Sequence, residues 1–140
     1  MFNENHKYSR KTVAETFENK IFENNRLGKW DTTLVSHDDN LIIFMNINVP
    51  GKSGHFFYNN YNPSTKEVTW YGRPGTHSDQ PLMQKLIQNH ISPFIFARWD
   101  NSDDFNFIGI GNYISHNNGV AGFDSDKNEI ETLEVNFSCV

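Results

Sequence analysis

The sequence predicts a mainly β domain (α+β): an open antiparallel β-barrel of about seven strands with two short helices. The chain has 140 residues, the size of one ordinary domain, so residues 1–140 are expected to form a single unit. Twelve Phe, five Tyr and three Trp supply large core side chains, although only 36% of the residues are hydrophobic. Nineteen Asn favour turns over helix interiors, which suits many short strands.

The first predicted element is a helix. Ser9 is a suitable N-cap, and Val13, Phe17 and Ile21 recur at helical spacing. We expect this helix to end before Gly28.

The remaining elements alternate strands with turns. A second short helix is expected from Pro81, because proline is tolerated in the first helical turn. Residues 41–45 are apolar throughout, so this strand is expected to be buried on both faces. Residues 116–126 are rich in Gly, Asn and Asp and are predicted to be a loop. The predicted strands are 30–35, 41–49, 55–58, 66–71, 93–99, 105–113 and 130–137.

Several classes of protein are excluded by the sequence. No apolar run approaches the length of a membrane span, and the N-terminal residues lack the apolar segment of a secretory signal. A single cysteine, Cys139, cannot form an internal disulfide or a cysteine-based zinc site. We therefore expect a cytoplasmic protein with no membrane partner.

The net charge of −5 is unevenly distributed. Residues 100–140 contain eight acidic residues and one basic residue, so the preceding 99 residues carry a charge of +2. Residues 52–98 alone carry +3. A polyanion responds to the local charge within about 8–10 Å, so the net charge does not exclude a nucleic-acid partner.

The motifs of catalysis are weak. The sequence has no nucleophile elbow, no glycine-rich phosphate loop and no pair of His at metal-ligand spacing. The paired carboxylates lie in predicted turns, where Asp is favoured by the backbone. We therefore predict a domain with no catalytic residues, no metal site and no cofactor.

Two segments combine residue types that bind nucleic acids. Residues 69–80 (TWYGRPGTHSDQ) and 54–62 (GHFFYNNYN) supply Arg, Gln, Asn and aromatic side chains. Arg, Gln and Asn bond to base edges, and unstacked bases lie against aromatic rings. Strand alternation nevertheless favours a core position for Trp70 and a surface position for Tyr71.

The order of these segments resembles a small DNA-recognition domain attached to prokaryotic restriction or modification-dependent endonucleases. The resemblance covers about residues 8–113, whereas the acidic residues 114–140 have no counterpart in it. It implies a B3-like or PUA/SRA-like open barrel that reads specific or modified duplex DNA. It is carried by Trp30, IFMNI at 43–47, GKSGH at 51–55, Trp70-Tyr71-Gly72, SDQP at 78–81, FIFAR at 94–98 and FNFIG at 105–109.

The resemblance also implies a set of contacting residues. In B3-like domains two arms grip the major groove, and here they correspond to regions near 51–62 and 71–80. PUA-like and SRA-like readers instead hold a base in an aromatic pocket. The residues leave both modes open. The DNA-binding candidates are Lys52, Asn59, Asn60, Tyr61, Arg73, His77, Gln80 and Arg98; the pocket candidates are Trp30, Trp70, Tyr71 and Asp79.

The leading hypothesis is a non-catalytic specificity domain for double-stranded DNA, methylated or unmethylated, in a restriction-type defence enzyme. A nuclease or motor domain, fused or associated, is the expected partner. The alternatives are a PUA/ASCH/YTH-like RNA-binding module, a small metal-dependent nuclease, and a protein-interaction module suggested by the acidic region.

Overall fold

One mixed β-sheet organises the chain, with a helix packed against each face. The computed structural model describes residues 1–4, 6–48, 57–88, 90–124 and 126–140. Within these ranges the elements are β1 (Lys7–Tyr8), α1 (Arg10–Glu18), a 3-10 turn (Gly28–Trp30), β2 (Leu34–His37), β3 (Asn40–Asn46), β4 (Asn60–Asn62), β5 (Glu67–Tyr71), α2 (Pro81–Ile87), β6 (Phe94–Arg98), β7 (Phe105–Phe123) and β8 (Glu129–Cys139).

The strand order in the described sheet is β2-β3-β6-β7-β8-β5-β4, with β1 paired to β7. β3 and β6 are parallel, because the chain between them crosses over through β4, β5 and α2. A single parallel bridge between Ile47 and Asn59 joins the segment before β4 to the end of β3. The mainly β, α+β class is confirmed. The wholly antiparallel arrangement is wrong, and the described strands do not close into a barrel, so the predicted open barrel is not confirmed.

The core lies on both faces of the sheet because the β3 side chains that point to either face are apolar. Leu41, Ile43 and Met45 point into the cluster covered by α2, while Ile42 and Phe44 point into the cluster covered by α1. All five side chains are buried, which confirms the expectation for residues 41–45.

The first helix is shorter than predicted. Ser9 caps it as expected, and its side chain accepts a hydrogen bond from the backbone N–H of Thr12 at 3.0 Å. The helix ends at Glu18 because Asn19 adopts the left-handed conformation. Ile21 is 85% exposed, so its predicted place on the buried face is wrong.

Two further strand predictions differ from the structure. Residues 28–30 form the 3-10 turn, and β2 begins only at Leu34, so the strand predicted over 30–35 is mostly wrong. Of the strand predicted over 55–58, residues 55 and 56 lie outside the described residues, and Phe57 and Tyr58 are not in a strand.

The loop predicted over 116–126 is largely strand. β7 continues to Phe123 and pairs with β8, and the pairing shifts register twice, between Tyr113 and Ser115 and between Asn117 and Val120. Gly119 takes a φ of +65° in the second irregularity, which suits a bulge rather than a loop. β8 lies between β7 and β5, so residues 129–139 belong to the centre of the sheet.

Candidate functional site

A cleft of about 260 Å³ opens at the carboxyl ends of the two parallel strands. In their register Asn46 lies opposite Arg98, directly beyond the buried pair Phe44 and Phe96. The apolar rows of β3 and β6 therefore end in polar side chains that line the cleft.

Arg10, the first residue of α1, forms one wall of the cleft. Its side chain is 19% exposed, and its Nη1 donates to the carbonyl oxygens of Trp30 at 3.0 Å and Thr32 at 2.7 Å. The guanidinium lies 4.7 Å from the centre of the Phe44 ring. Burial, followed by repulsion from Arg98, lowers the pKa of Arg10 to about 10, so it remains charged at neutral pH.

Arg98 lies beside Arg10. Its Nε donates to Oδ1 of Asn46 at 2.7 Å, and its Nη1 donates to the carbonyl of Asp103 at 3.1 Å. Its guanidinium carbon is 4.3 Å from the centre of the Phe105 ring, and that of Arg10 is 5.1 Å from the same centre. Burial lowers the pKa of Arg98, against the opposing effect of neighbouring carboxylates. The two cations therefore share one aromatic support.

An aromatic pair forms another part of the wall. The rings of Phe57 and Tyr71 stack with centroids 5.8 Å apart and planes inclined at 30°. Burial, together with the hydrogen bond to Glu134, raises the pKa of Tyr71 to about 12, so the phenol stays protonated. The amide of Asn59 fixes the edges of this wall, because Nδ2 donates to the carbonyl of Asn46 and Oδ1 accepts from the backbone N–H of Tyr71.

Arg73 reaches the cleft from a loop that is held to the sheet. The buried hydroxyl of Thr132 contacts the carbonyls of Gly72 and Arg73, at 2.7 and 2.8 Å. The backbone N–H of Gly75 donates to the carbonyl of Glu131 at 2.8 Å. The Arg73 side chain itself is exposed. The loop thus presents a solvent-facing cation from a fixed backbone.

The structure brings four of the predicted residues to the cleft: Asn59, Tyr71, Arg73 and Arg98. Lys52 lies outside the described residues.

The other predicted residues lie elsewhere. Trp30 and Trp70 are each 1% exposed and belong to the two core clusters, one on each face. The indole of Trp30 donates to Oε2 of Glu18, and that of Trp70 to Oγ1 of Thr33. Both tryptophans are therefore satisfied within the core and do not line the cleft.

The remaining candidates are surface or edge residues. Asn60 is exposed, and Tyr61 packs against the core cluster beneath α2. His77 pairs with Asp79, with Nδ1 and Oδ1 2.9 Å apart. Gln80 precedes α2, and its Nε2 donates to the carbonyl of Gly75 at 3.1 Å.

Sequence reasoning missed several residues of the cleft, chiefly Arg10, Asp31, Asn46 and Phe57. Asn46 carried a usable signal, since it continues the buried row of Ile42 and Phe44 with a polar side chain. The sequence contained no signal for Arg10. The periodicity of a helix does not indicate which strands the first residue of that helix will lie against.

The cleft has the chemistry of a site for an anionic, partly aromatic ligand. Of the described residues, three arginines, Arg10, Arg73 and Arg98, line it against one carboxylate, Asp31. Guanidinium groups pair with phosphate oxygens or base edges, and stacked rings offer a face to a planar group. Among the described residues no cluster of three or more His, Cys, Asp and Glu is placed to hold a metal ion. In the same residues no helix has both the length and the apolar character needed to cross a bilayer.

Comparison with known proteins places the fold beside that of a restriction enzyme. One similar solved structure is that of the DNA modification-dependent restriction endonuclease AspBHI, with a TM-score of 0.57 and 12% sequence identity. The match covers 79% of this chain and 64% of that one, and at this identity it shows the fold alone. No family profile matches the sequence, and no curated protein matches it.

Proposed function

We propose that this chain is a DNA-binding specificity domain of a restriction-type or modification-dependent defence enzyme. The observation that carries the proposal is the cleft, where three arginines and a stacked aromatic pair converge. The fold supports it, since one solved structure of similar fold is named a DNA modification-dependent restriction endonuclease. Phosphate contacts from Lys and Arg would supply most of the affinity.

The cleft favours a base held in a pocket over groove reading alone. Its volume of about 260 Å³ is enclosed on one side by the rings of Phe57 and Tyr71, against which a base would lie. Asn46 lies where its side-chain amide would bond to the polar edge of that base. The base would be specific or methylated, and Arg73 on its exposed loop would contact the flanking duplex.

We propose that the domain is catalytically inert alone and that a fused or associated nuclease or motor domain acts on the DNA. The cleft supports this because one carboxylate, Asp31, faces three cations there, whereas metal-dependent hydrolysis uses several carboxylates. Duplex DNA incubated with the chain and Mg²⁺ should remain intact. Metal-dependent nicking that is lost on substitution of an Asp or Glu would contradict the proposal.

Fluorescence anisotropy tests binding. Methylated and unmethylated duplexes and single-stranded RNA of the same sequence are titrated at ~50 mM salt, where phosphate contacts are strong. We expect the duplex to bind, and Arg73→Gln to weaken binding by about 1–3 kcal/mol if Arg73 contacts a base edge. Lys85→Gln, which removes an exposed cation outside the cleft, is the matched control. No binding to any duplex, or a preference for the RNA, would overturn the proposal.

A base analogue tests the pocket. 2-Aminopurine placed at each position of the bound duplex gains fluorescence when it leaves the stack. One position should brighten with the wild-type chain, and the gain should be lost in Tyr71→Ala. An unchanged signal at every position would favour groove reading.

A further inference from the structure

We infer that Arg10 and Arg98 together form a phosphate-binding subsite, which takes one phosphodiester of the strand whose base enters the cleft. The inference rests on the proposed function for its source of phosphate, and it assigns a ligand group to a pair of residues rather than to the cleft as a whole.

Neither guanidinium of the pair donates a hydrogen bond to a carboxylate among the described residues, although Asp100, Asp103 and Asp104 act on Arg98 from farther away. The carboxylate that approaches Arg10 is that of Asp31, at 4.0 Å from Nε, and its side chain is 62% exposed. Among the described residues no carboxylate lies within 4.0 Å of the Arg98 guanidinium. Each arginine is held instead by neutral acceptors, namely backbone carbonyls and the amide of Asn46. Neutral acceptors orient a cation without cancelling its charge.

The two cations lie close to each other. Both guanidinium groups lie over the ring of Phe105, and the charge of Arg98 contributes to lowering the pKa of Arg10. Two like charges in a half-buried cleft repel each other unless an anion lies between them. This repulsion destabilises the protein in its free state, and a bound anion would relieve the repulsion.

The two arginines keep N–H donors that the described residues leave available. A guanidinium carries five N–H groups. Nη1 of Arg10 and both Nε and Nη1 of Arg98 donate to protein oxygens, whereas in the described part of the chain no acceptor contacts Nη2 of either residue. Two Nη2 groups on one cleft offer paired donors to the oxygens of a single phosphate.

The arginine side chains report phosphate directly. The sequence contains four arginines, 10, 26, 73 and 98, so the Nε–H region of an ¹⁵N spectrum is simple. Inorganic phosphate is titrated into the wild-type chain, with chloride adjusted to hold the ionic strength constant. We expect the signals of Arg10 and Arg98 to shift along one common saturable curve, while that of exposed Arg26 stays in place. No saturable shift at Arg10 and Arg98, or equal shifts at all four, would overturn the inference.

The salt dependence of duplex binding then identifies the source of the phosphate. Loss of one phosphate contact lowers the slope of log K against log salt by about one. Arg98→Gln should show this loss, and the control Lys85→Gln should keep the wild-type slope. An unchanged slope in Arg98→Gln, with its thermal midpoint near that of the wild type, would overturn the inference.

A final experiment measures the affinity of a series of duplexes, each with one neutral methylphosphonate linkage at a different position. One linkage should weaken wild-type binding several-fold and weaken binding of Arg98→Gln less, because part of the same contact is then already absent. Equal effects in both proteins would overturn the subsite while leaving DNA binding intact. Saturable phosphate binding with no duplex binding would instead overturn the proposed function and leave the subsite standing.

Discussion

The phenol of Tyr71 donates a hydrogen bond to Oε2 of Glu134 at 2.8 Å. The two residues are direct partners in the pairing of β5 with β8. Asn117 donates to the other carboxylate oxygen, Oε1, at 3.0 Å. The ring of Tyr71 also stacks on Phe57. The hydrogen bond between the phenol and this carboxylate therefore fixes the position of the aromatic wall of the cleft.

Glu134 should make stability depend on acid pH. Burial raises its pKa, but hydrogen bonds from Tyr71, Asn117 and Asn136 outweigh burial, so the folded pKa lies below the ordinary value of 4.5. A lowered pKa means that the stabilisation is present above about pH 4.5 and is lost as the pH falls through the folded value. Urea denaturation from pH 7 to pH 3 should show a smaller loss for Glu134→Gln than for the wild type. Parallel curves would contradict this role, and Glu129→Gln, an exposed carboxylate on the same strand, is the control.

Trp70 should matter for folding and not for DNA. Trp70→Phe removes the hydrogen bond to Thr33 and leaves part of the core unfilled, so we expect a loss of about 2 kcal/mol in the free energy of unfolding. Trp99→Phe is the matched control, because Trp99 is 46% exposed and its loss should cost less than about 0.5 kcal/mol. Affinity for duplex DNA should be unchanged in folded Trp70→Phe. A large loss of DNA affinity in Trp70→Phe, with an unchanged free energy of unfolding, would instead indicate that Trp70 is part of the binding site.

Thr132 should control the loop that carries Arg73. Thr132→Val keeps the shape of the side chain but leaves the carbonyls of Gly72 and Arg73 without this donor, at a cost of about 1–3 kcal/mol. Hydrogen exchange at the amide of Gly75, which is bonded to the carbonyl of Glu131, should become faster. Thr132→Ser retains the hydroxyl and should exchange like the wild type. Equal exchange in the two variants would show that the hydroxyl does not hold the loop.

Cys139 should be unreactive in the folded chain. Burial in the core raises the pKa of its thiol to about 12, so almost no thiolate forms at pH 8. A thiol-specific disulfide reagent should label the protein only after denaturant unfolds it. Rapid labelling of the native chain would contradict the burial of β8 in the sheet.

Local patterns predicted most of the separate elements. The cap at Ser9, the doubly buried strand β3 and the proline that opens α2 each depend on neighbours within a few residues, and all three are present in the structure. The errors have local causes too. Asn19 ends α1 through its own backbone conformation, which side-chain periodicity does not record.

Local sequence patterns did not predict the geometry of the cleft. That geometry depends on the parallel pairing that sets Asn46 beside Arg98, 52 positions away in the sequence. It also depends on the packing of the start of α1, which holds Arg10 over the ring of Phe44. Parallel pairing needs a long crossover, and the sequence between the two strands is compatible with several of them. The Gly and Asn residues of β7 resembled a loop because bulges and loops use the same residue types.

The central place of β8 has a consequence for the synthesis of the chain. Apart from the bridge between Ile47 and Asn59, the described β4–β5 pair reaches the rest of the sheet through β8. During synthesis, the strand pairing that joins the two portions of the sheet therefore forms only after β8 has left the ribosomal exit tunnel. Contacts so distant in sequence close slowly. The walls of the cleft come from both portions, so we expect the nascent chain to complete the cleft only after β8 has paired with β5 and β7.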